Sequence, residues 1–184
     1  MGLQAREGEF QTTVSVMQPN GTDQRALATV QFAEGLQWSP DGRQLAFTSF
    51  SSFHENQQAQ VINSDGSEQR ALDNGTVASS LPSWSPDGSK MSAVITDPGG
   101  SEAAIVVMNA DGTDMRRVTQ MAGWHAWSPD GTQIIVSRSR LVVSGDLTGY
   151  SNLYLISADG SNQHLLLEDM AIGGDPAWRP ISQT

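Results

Sequence analysis

The feature that most restricts this chain is a repeat. Trp-Ser-Pro-Asp-Gly occurs at Trp38 to Gly42, Trp84 to Gly88 and Trp127 to Gly131, and a shortened form, Trp178-Arg179-Pro180, follows near the C-terminus. The period is about 46 residues, in the range of propellers and other repeat architectures. A second anchor keeps step with the first: Asn20-Gly21, Asp65-Gly66, Asp111-Gly112 and Asp159-Gly160, each followed by Ser or Thr. Two anchors in fixed phase require one supersecondary unit used several times.

Each anchor has a local physical meaning. In Ser-Pro-Asp-Gly, proline presets φ at the second position of a tight turn, Asp tolerates the third, and Gly takes the positive φ that closes a hairpin with a bulge. Strands are therefore expected on both sides. Leu45–Phe47, Met91–Ile95 and Ile134–Val136 follow the turn as short apolar or alternating runs. Gln60–Ile62, Ile105–Met108 and Leu153–Ile156 lead into the second turn, and Gln69–Leu72, Met115–Val118 and Gln163–Leu166 leave it as amphipathic outer strands. Four strands in one period, with no helix needed, describe a propeller blade.

With those residues on the page, the pattern resembles the repeat of TolB and of the propellers attached to prolyl-oligopeptidase-like enzymes, and the resemblance runs from about Phe10 to Pro180. It implies an all-β fold, a propeller of four-stranded antiparallel blades, with residues 1–184 forming a single domain of four blades. It also implies an extracytoplasmic location and a protein or peptide partner. The same scaffold hosts many activities, so the repeat is specific for fold and nearly silent on function.

The two ends of the chain are out of phase with the repeat. Thr13–Met17 with Asn20-Gly21 matches a third strand and its turn, whereas Ala177–Pro180 matches a first strand. A last blade shared by the N- and C-terminal strands is one way to close the ring and hide its edges. Three arrangements fit: a closed four-bladed monomer, two chains combining as a dimer into an eight-bladed ring, or a piece of a longer propeller. Because TolB-like blades usually occur in rings larger than four, the dimer is the favoured expectation.

Charge narrows the partners. Ten Lys and Arg against twenty Asp and Glu give a formal charge of −10, which repels a phosphate backbone, so nucleic acid is not an expected partner. No apolar run approaches the roughly 20 residues a membrane span requires, and Met1 to Phe10 lacks the pattern of a signal peptide. There is no cysteine, hence no disulfide framework and no thiolate metal site.

Function in such a scaffold is expected on the variable loops: Ser49 to Ala59, Thr96 to Ala103 and Arg138 to Asn152 within blades, and Gln31 to Gly35, Asp73 to Leu81, Gln120 to Trp124 and Glu168 to Asp175 between them. This face carries Glu34, Glu55, Asp73, Asp97, Glu102, Asp146, Glu168, Asp169 and Asp175 against Arg138 and Arg140, so it is expected to be electronegative and to suit a basic segment or a cation. Phe50, Phe53, Trp124 and Tyr150 add aromatic anchors, and Trp124 stands out because the repeat does not require it. The candidate binding residues are Phe53, His54, Trp124, His125, Asp146, Tyr150 and Asp175. The recurring Trp38, Trp84, Trp127 and Trp178 are expected to be core between blades.

Other chemistries find little support. The Asp-Gly strings resemble the start of a calcium loop, but counting from Asn63 or Asn109 the twelfth position is Asn74 or Gln120, and the frame from Ser157 that reaches Glu168 begins with Ser. His54, His125 and His164 follow no metal-ligand spacing. A Gly-x-Ser-x-Gly elbow is missing. The residues before each tryptophan, Gln37, Ser83, Ala126 and Ala177, are poor catalytic equipment. Arg25, Arg70, Arg116 and Arg117 are expected to guard exposed edges. The expectation is a noncatalytic binding or scaffold module without metal or cofactor, with two alternatives: a channel-centred hydrolase or lyase on a carbohydrate or small ester, or a fragment of a larger propeller-containing sensor or enzyme.

Overall fold

The computed structural model describes residues 11–51, 56–72, 78–97, 103–120, 123–144, 146–171 and 176–179. They contain fourteen strands and no helix. β1 (Thr12–Val16) and β2 (Arg25–Val30) form a two-stranded sheet. Three four-stranded antiparallel sheets follow, each a simple meander: β3 (Phe32–Trp38), β4 (Gln44–Phe50), β5 (Gln58–Asn63) and β6 (Arg70–Ala71); β7 (Ala78–Trp84), β8 (Lys90–Thr96), β9 (Ala103–Asn109) and β10 (Arg116–Gln120); β11 (His125–Trp127), β12 (Gln133–Ser144), β13 (Asp146–Ser157) and β14 (His164–Ala171). The chain divides into two compact units, Met1–Pro82 and Ser83–Thr184.

The expected strands are present, and the anchors make the turns anticipated for them. Ser39, Ser85 and Ser128 are buried. Each hydroxyl donates to the Asp two residues on, at 2.6–2.7 Å, and accepts the amide of the residue five on, at 2.9 Å. The glycines that close these turns have φ of 70° to 72°. In the second turn, Asp65, Asp111 and Asp159 accept both the amide and the hydroxyl of the following Ser or Thr. The next residue, Asp23, Glu68, Asp114 or Asn162, then takes a left-handed φ of 47° to 55°, a conformation that short polar side chains tolerate better than branched ones.

Burial explains why the inner strands read as continuous apolar runs. The middle five residues of β4, β8 and β9 are all buried, so these strands are covered on both faces, as stacked sheets require. In the first unit Val14, Leu27, Ala28, Leu45, Phe47 and Ile62 pack into one cluster that joins the β1–β2 sheet to the blade after it. The close approach is sharpest at the second turn. A Cβ on Gly160, whose φ is +85°, would lie 3.3 Å from the Cα of Val118 on β10 of the preceding blade, and Gly66 sits in the same way on Leu27 of β2.

Several expectations are corrected. Arg138 to Asn152 is not a loop: β12 and β13 pair in unbroken register from Gln133↔Ser157 to Ser144↔Asp146. The β-branched and alternating residues at both ends of this stretch extend the ladder instead of leaving it. Gln31 to Gly35 is not a loop either, since Gln31 alone separates β2 from β3. Trp84 and Trp127 are buried as expected, but Trp38 is 42% exposed. Residues 176–179 carry no strand. The arginines are not simple edge guards: Arg25 donates to the carbonyl of Ser64 and lies near Asp65 in the next blade's turn, Arg116 lies near Asp159 in the same relation, and Arg117 pairs with Asp97.

Two expected outcomes follow from this packing. Phe47→Ala removes a fully buried ring and is expected to cost about 3–5 kcal/mol in urea unfolding. The Ser128 hydroxyl, together with the Thr132 amide and hydroxyl, holds the Asp130 carboxyl down at about 2, against an ordinary 3.8. Asp41, Asp65, Asp87 and Asp159 are lowered by equivalent hydrogen bonds, chiefly from Ser39, Ser67, Ser85 and Ser161. The unfolded chain therefore binds more protons in this window, and stability is expected to fall as pH drops through it. Unfolding midpoints at successively lower pH, compared between the natural chain and Asp130→Asn, measure this, and the variant is expected to show a shallower decline.

Candidate functional site

The described part of the expected loop face centres on Gly123, Trp124 and His125, which lead into β11. Their backbone is clamped by one residue of β12: the Gly123 amide donates to the Ser137 carbonyl at 2.9 Å, and the Ser137 amide donates to the Trp124 carbonyl at 2.9 Å. The Ser137 hydroxyl adds a longer contact to the same carbonyl at 3.3 Å. Alternation along the strand then sends His125 and Trp127 to one side and their neighbours to the other.

His125 and Trp127 converge on Ser92 of β8, whose side chain is fully buried. The Trp127 indole N–H donates to the Ser92 hydroxyl at 2.9 Å and approaches the Ser83 carbonyl at 3.3 Å. Ser92 Oγ lies 2.8 Å from His125 Nε2 and 3.4 Å from the Ser83 carbonyl. The oxygen accepts from the indole, and its proton serves either Nε2 or the Ser83 carbonyl according to the tautomer of the imidazole. Nδ1 is buried without a well-formed hydrogen bond. Burial pulls the imidazole down to about 4, and the backbone of Gly123 offsets part of that shift. A neutral, half-buried histidine held by a serine that also accepts from a tryptophan is a packing element of the blade junction.

Trp124 differs. It is 46% exposed, and its side chain has no place in the Ser92 network. A large aromatic on a fixed backbone, half open to solvent, offers contact area with little ordering cost on binding. Nearby, the Arg138 guanidinium stacks 4.3 Å from the centroid of Tyr154, donates to Gln163 at 2.8 Å and also bonds Thr119. This base is thus committed to groups of its own blade and of the blade before it. Asp97 is committed as well, to Arg117, while Glu34 lies within β3, half-buried. The acidic character expected of this face is correspondingly thinner among the described residues.

Of the other expected binding residues, Phe53, His54 and Asp175 lie outside the described residues. Asp146 and Tyr150 stand on β13, opposite Ser144 and Arg140, on a hairpin and not in a loop, and their side chains lie outside what is described. The structure thus brings Trp124 and His125 together in sequence only, one exposed and one half-buried against Ser92. Ser92 was missed in sequence: it sits in an apolar run, and its signal is that the equivalent positions of the other blades are Ala46 and Ile135. No group of three or more His, Asp or Glu side chains suited to a metal occurs among the described residues.

One relation repeats along the second unit. Trp127 reaches the carbonyl of Ser83, which precedes Trp84; Trp178 donates to the carbonyl of Ala126, which precedes Trp127, at 3.1 Å. Each tryptophan therefore docks on the first strand of the blade before it.

Comparison with known proteins agrees with this geometry. The model of the TolB beta propeller domain matches residues 4–140. Dipeptidyl-peptidase 5 of Porphyromonas endodontalis is 34% identical over 116 residues, which cover 59% of this chain and 16% of that protein. The chain thus spans about a sixth of that relative's length. Among solved structures, a putative TolB from Agrobacterium tumefaciens superposes with a TM-score of 0.67 at 18% identity, over 88% of this chain and 58% of the other. An oligogalacturonate lyase from Vibrio parahaemolyticus gives 0.67 at 15% identity, over 87% and 44%. At these identities the likeness is one of fold, and it is the propeller fold.

Substitution at the Ser92 junction has a defined outcome. Because His125 is held neutral when folded, the unfolded chain takes up more protons between 6.5 and about 4, and stability is expected to fall as pH drops through that interval. His125→Phe is expected to remove this pH dependence. Ser92→Ala is expected to destabilise by about 1–3 kcal/mol by leaving buried donors short of a partner. Urea unfolding from neutral to mildly acidic pH checks both.

Proposed function

Since this chain belongs to the TolB beta propeller domain family, we propose that it works as a noncatalytic binding module that engages a protein or peptide segment through the face that carries Trp124. The observation that carries the reading is the half-exposed indole of Trp124 on a backbone fixed by Ser137. The repeat does not ask for a tryptophan there, and packing does not consume it. The net charge of −10 favours a neutral or basic segment over an acidic one. An extracytoplasmic setting follows from the resemblance to TolB.

A second reading draws on the dipeptidyl-peptidase relative: this chain is the propeller portion of a larger enzyme, and the Trp124 face meets either that enzyme's other domain or its substrate. The chain's share of that relative, 16% of its length, is what favours it. Both readings place the binding on the same face and assign no chemistry to the blades themselves.

The test is capture of partners on the immobilised chain, followed by comparison of each partner's affinity for Trp124→Ala and for Trp124→Ala with Phe53→Ala. Loss of a hot-spot aromatic is expected to weaken binding by about tenfold or more. Unchanged affinity of every captured partner for both variants would sink the proposal.

A further inference from the structure

The β11–β14 sheet is proportioned unlike the other two four-stranded sheets. In those, the first strand is as long as the second: β3 and β4 have seven residues each, as do β7 and β8. Here β12 has twelve residues and β11 three. β11 pairs with Ile134–Val136, and the next main-chain bonds on that side join Ser137 to Gly123 and Trp124. β13, by contrast, accompanies β12 as far as Ser144. From Ser139 to Ser144, β12 therefore has a strand on one side only among the described residues.

The antiparallel ladder determines which groups are left open, because successive residues direct their N–H and C=O to opposite neighbours. Ser137 directs both toward β11. Ser139, Leu141 and Val143 accordingly direct theirs to the same, open side, while Arg140 and Val142 are turned toward β13. This edge lies in the plane of the sheet, whereas blades stack on sheet faces, so a further blade on either face leaves it open. The lead into β11 is also too short to cover it. Two residues separate Gln120 from Gly123 and reach about 7 Å, against roughly 20 Å for six residues of strand.

Exposed edges are ordinarily guarded by charge, proline or a bulge. Ser139–Ser144 holds no proline and a single charge, Arg140, and its centre is Leu141-Val142-Val143, which favours strand pairing. Its register with β13 is unbroken. The net charge of −10 disfavours an acidic occupant, and Arg140 on the edge strand disfavours a basic one. We propose that β12 from Ser139 to Val143 is a strand-addition site for an uncharged, extended segment of a partner protein, which continues the line of β11 and meets Trp124 where β11 stops. Main-chain bonds to Ser139, Leu141 and Val143 supply affinity, and side chains alternating to the two faces supply selection. The inference rests on the reading that the Trp124 side of this sheet binds a peptide, and adds the conformation and charge of that peptide.

The probe is a fluorescein-labelled peptide, Ser-Thr-Val-Thr-Val-Thr-Ser, added to the full chain. Saturable binding is expected by anisotropy, with hydrogen exchange slowed about tenfold or more at the Ser139, Leu141 and Val143 amides and unchanged at Arg140 and Val142. Replacing the peptide's threonines by glutamate or by lysine is expected to weaken binding about tenfold. Leu141→Pro removes an amide that β13 does not use, where an edge strand tolerates proline, and is expected to abolish binding while exchange at Val142 stays slow. The same peptide N-methylated throughout tests these bonds without altering the protein and is expected not to bind. The proposal is overturned if the N-methylated or the charged peptides bind equally, if the three amides gain no protection, or if they already exchange slowly without peptide. Partners that respond to Trp124→Ala but not to Leu141→Pro would leave the binding face standing and remove strand addition. Peptide binding abolished by Leu141→Pro, beside captured partners indifferent to Trp124→Ala, would remove the Trp124 reading alone.

Discussion

The stacking of the second unit turns on the indole N–H of Trp127 reaching out of its own blade to Ser83 and Ser92. Sheet faces covered by other sheets have little besides shape to fix how one slides on the next, and a directed hydrogen bond in a dry interface supplies that register at modest net energy. Trp178 repeats the contact on Ala126 although its own segment is no strand. The contact therefore does not depend on a completed ladder around the tryptophan.

A second set of contacts occurs at one junction within each unit, where the Asp-Gly turn meets the outer strand of the sheet before it. There the glycine allows backbone approach, and an arginine from the earlier strand, Arg25 or Arg116, stands beside the turn's Asp. These are exposed pairs, so their energetic weight is small. Their effect is geometric: between the β7–β10 sheet and the β11–β14 sheet, Trp127 at the inner strand and Arg116 at the outer strand fix two points of one junction.

Sequence made the blades legible because each anchor has a single physical solution. Proline, Asp and Gly in order demand a tight turn, and the buried serine that completes it lies within the same motif. What sequence left hidden was of another kind. The stretch from Arg138 to Asn152 mixes charges with β-branched residues, and nothing local distinguishes a long hairpin from a loop until both arms are seen to pair. Trp38 carries the same motif as Trp127, yet it is exposed where Trp127 is buried, because the burial of Trp127 is supplied by Ser83 and Ser92 of the sheet before it and not by its own motif. His125 reads as a candidate binding residue from its place before Ala126 on an inner strand, and its burial depends on Ser92, which lies 33 residues away.

That serine gives the chain a property its regular spacing conceals. Blades that share turns and tryptophans look interchangeable, as units of a repeat array can be. Yet β4 and β12 offer Ala46 and Ile135 where β8 offers Ser92, and neither could answer both an indole and an imidazole. The blade that contains β8 and the blade that follows it are consequently a matched pair. Duplication, deletion or exchange of a repeat could be absorbed elsewhere in the chain, but a cut between these two would strand a histidine and a tryptophan in a dry seam, so the array is modular only in pieces larger than its period.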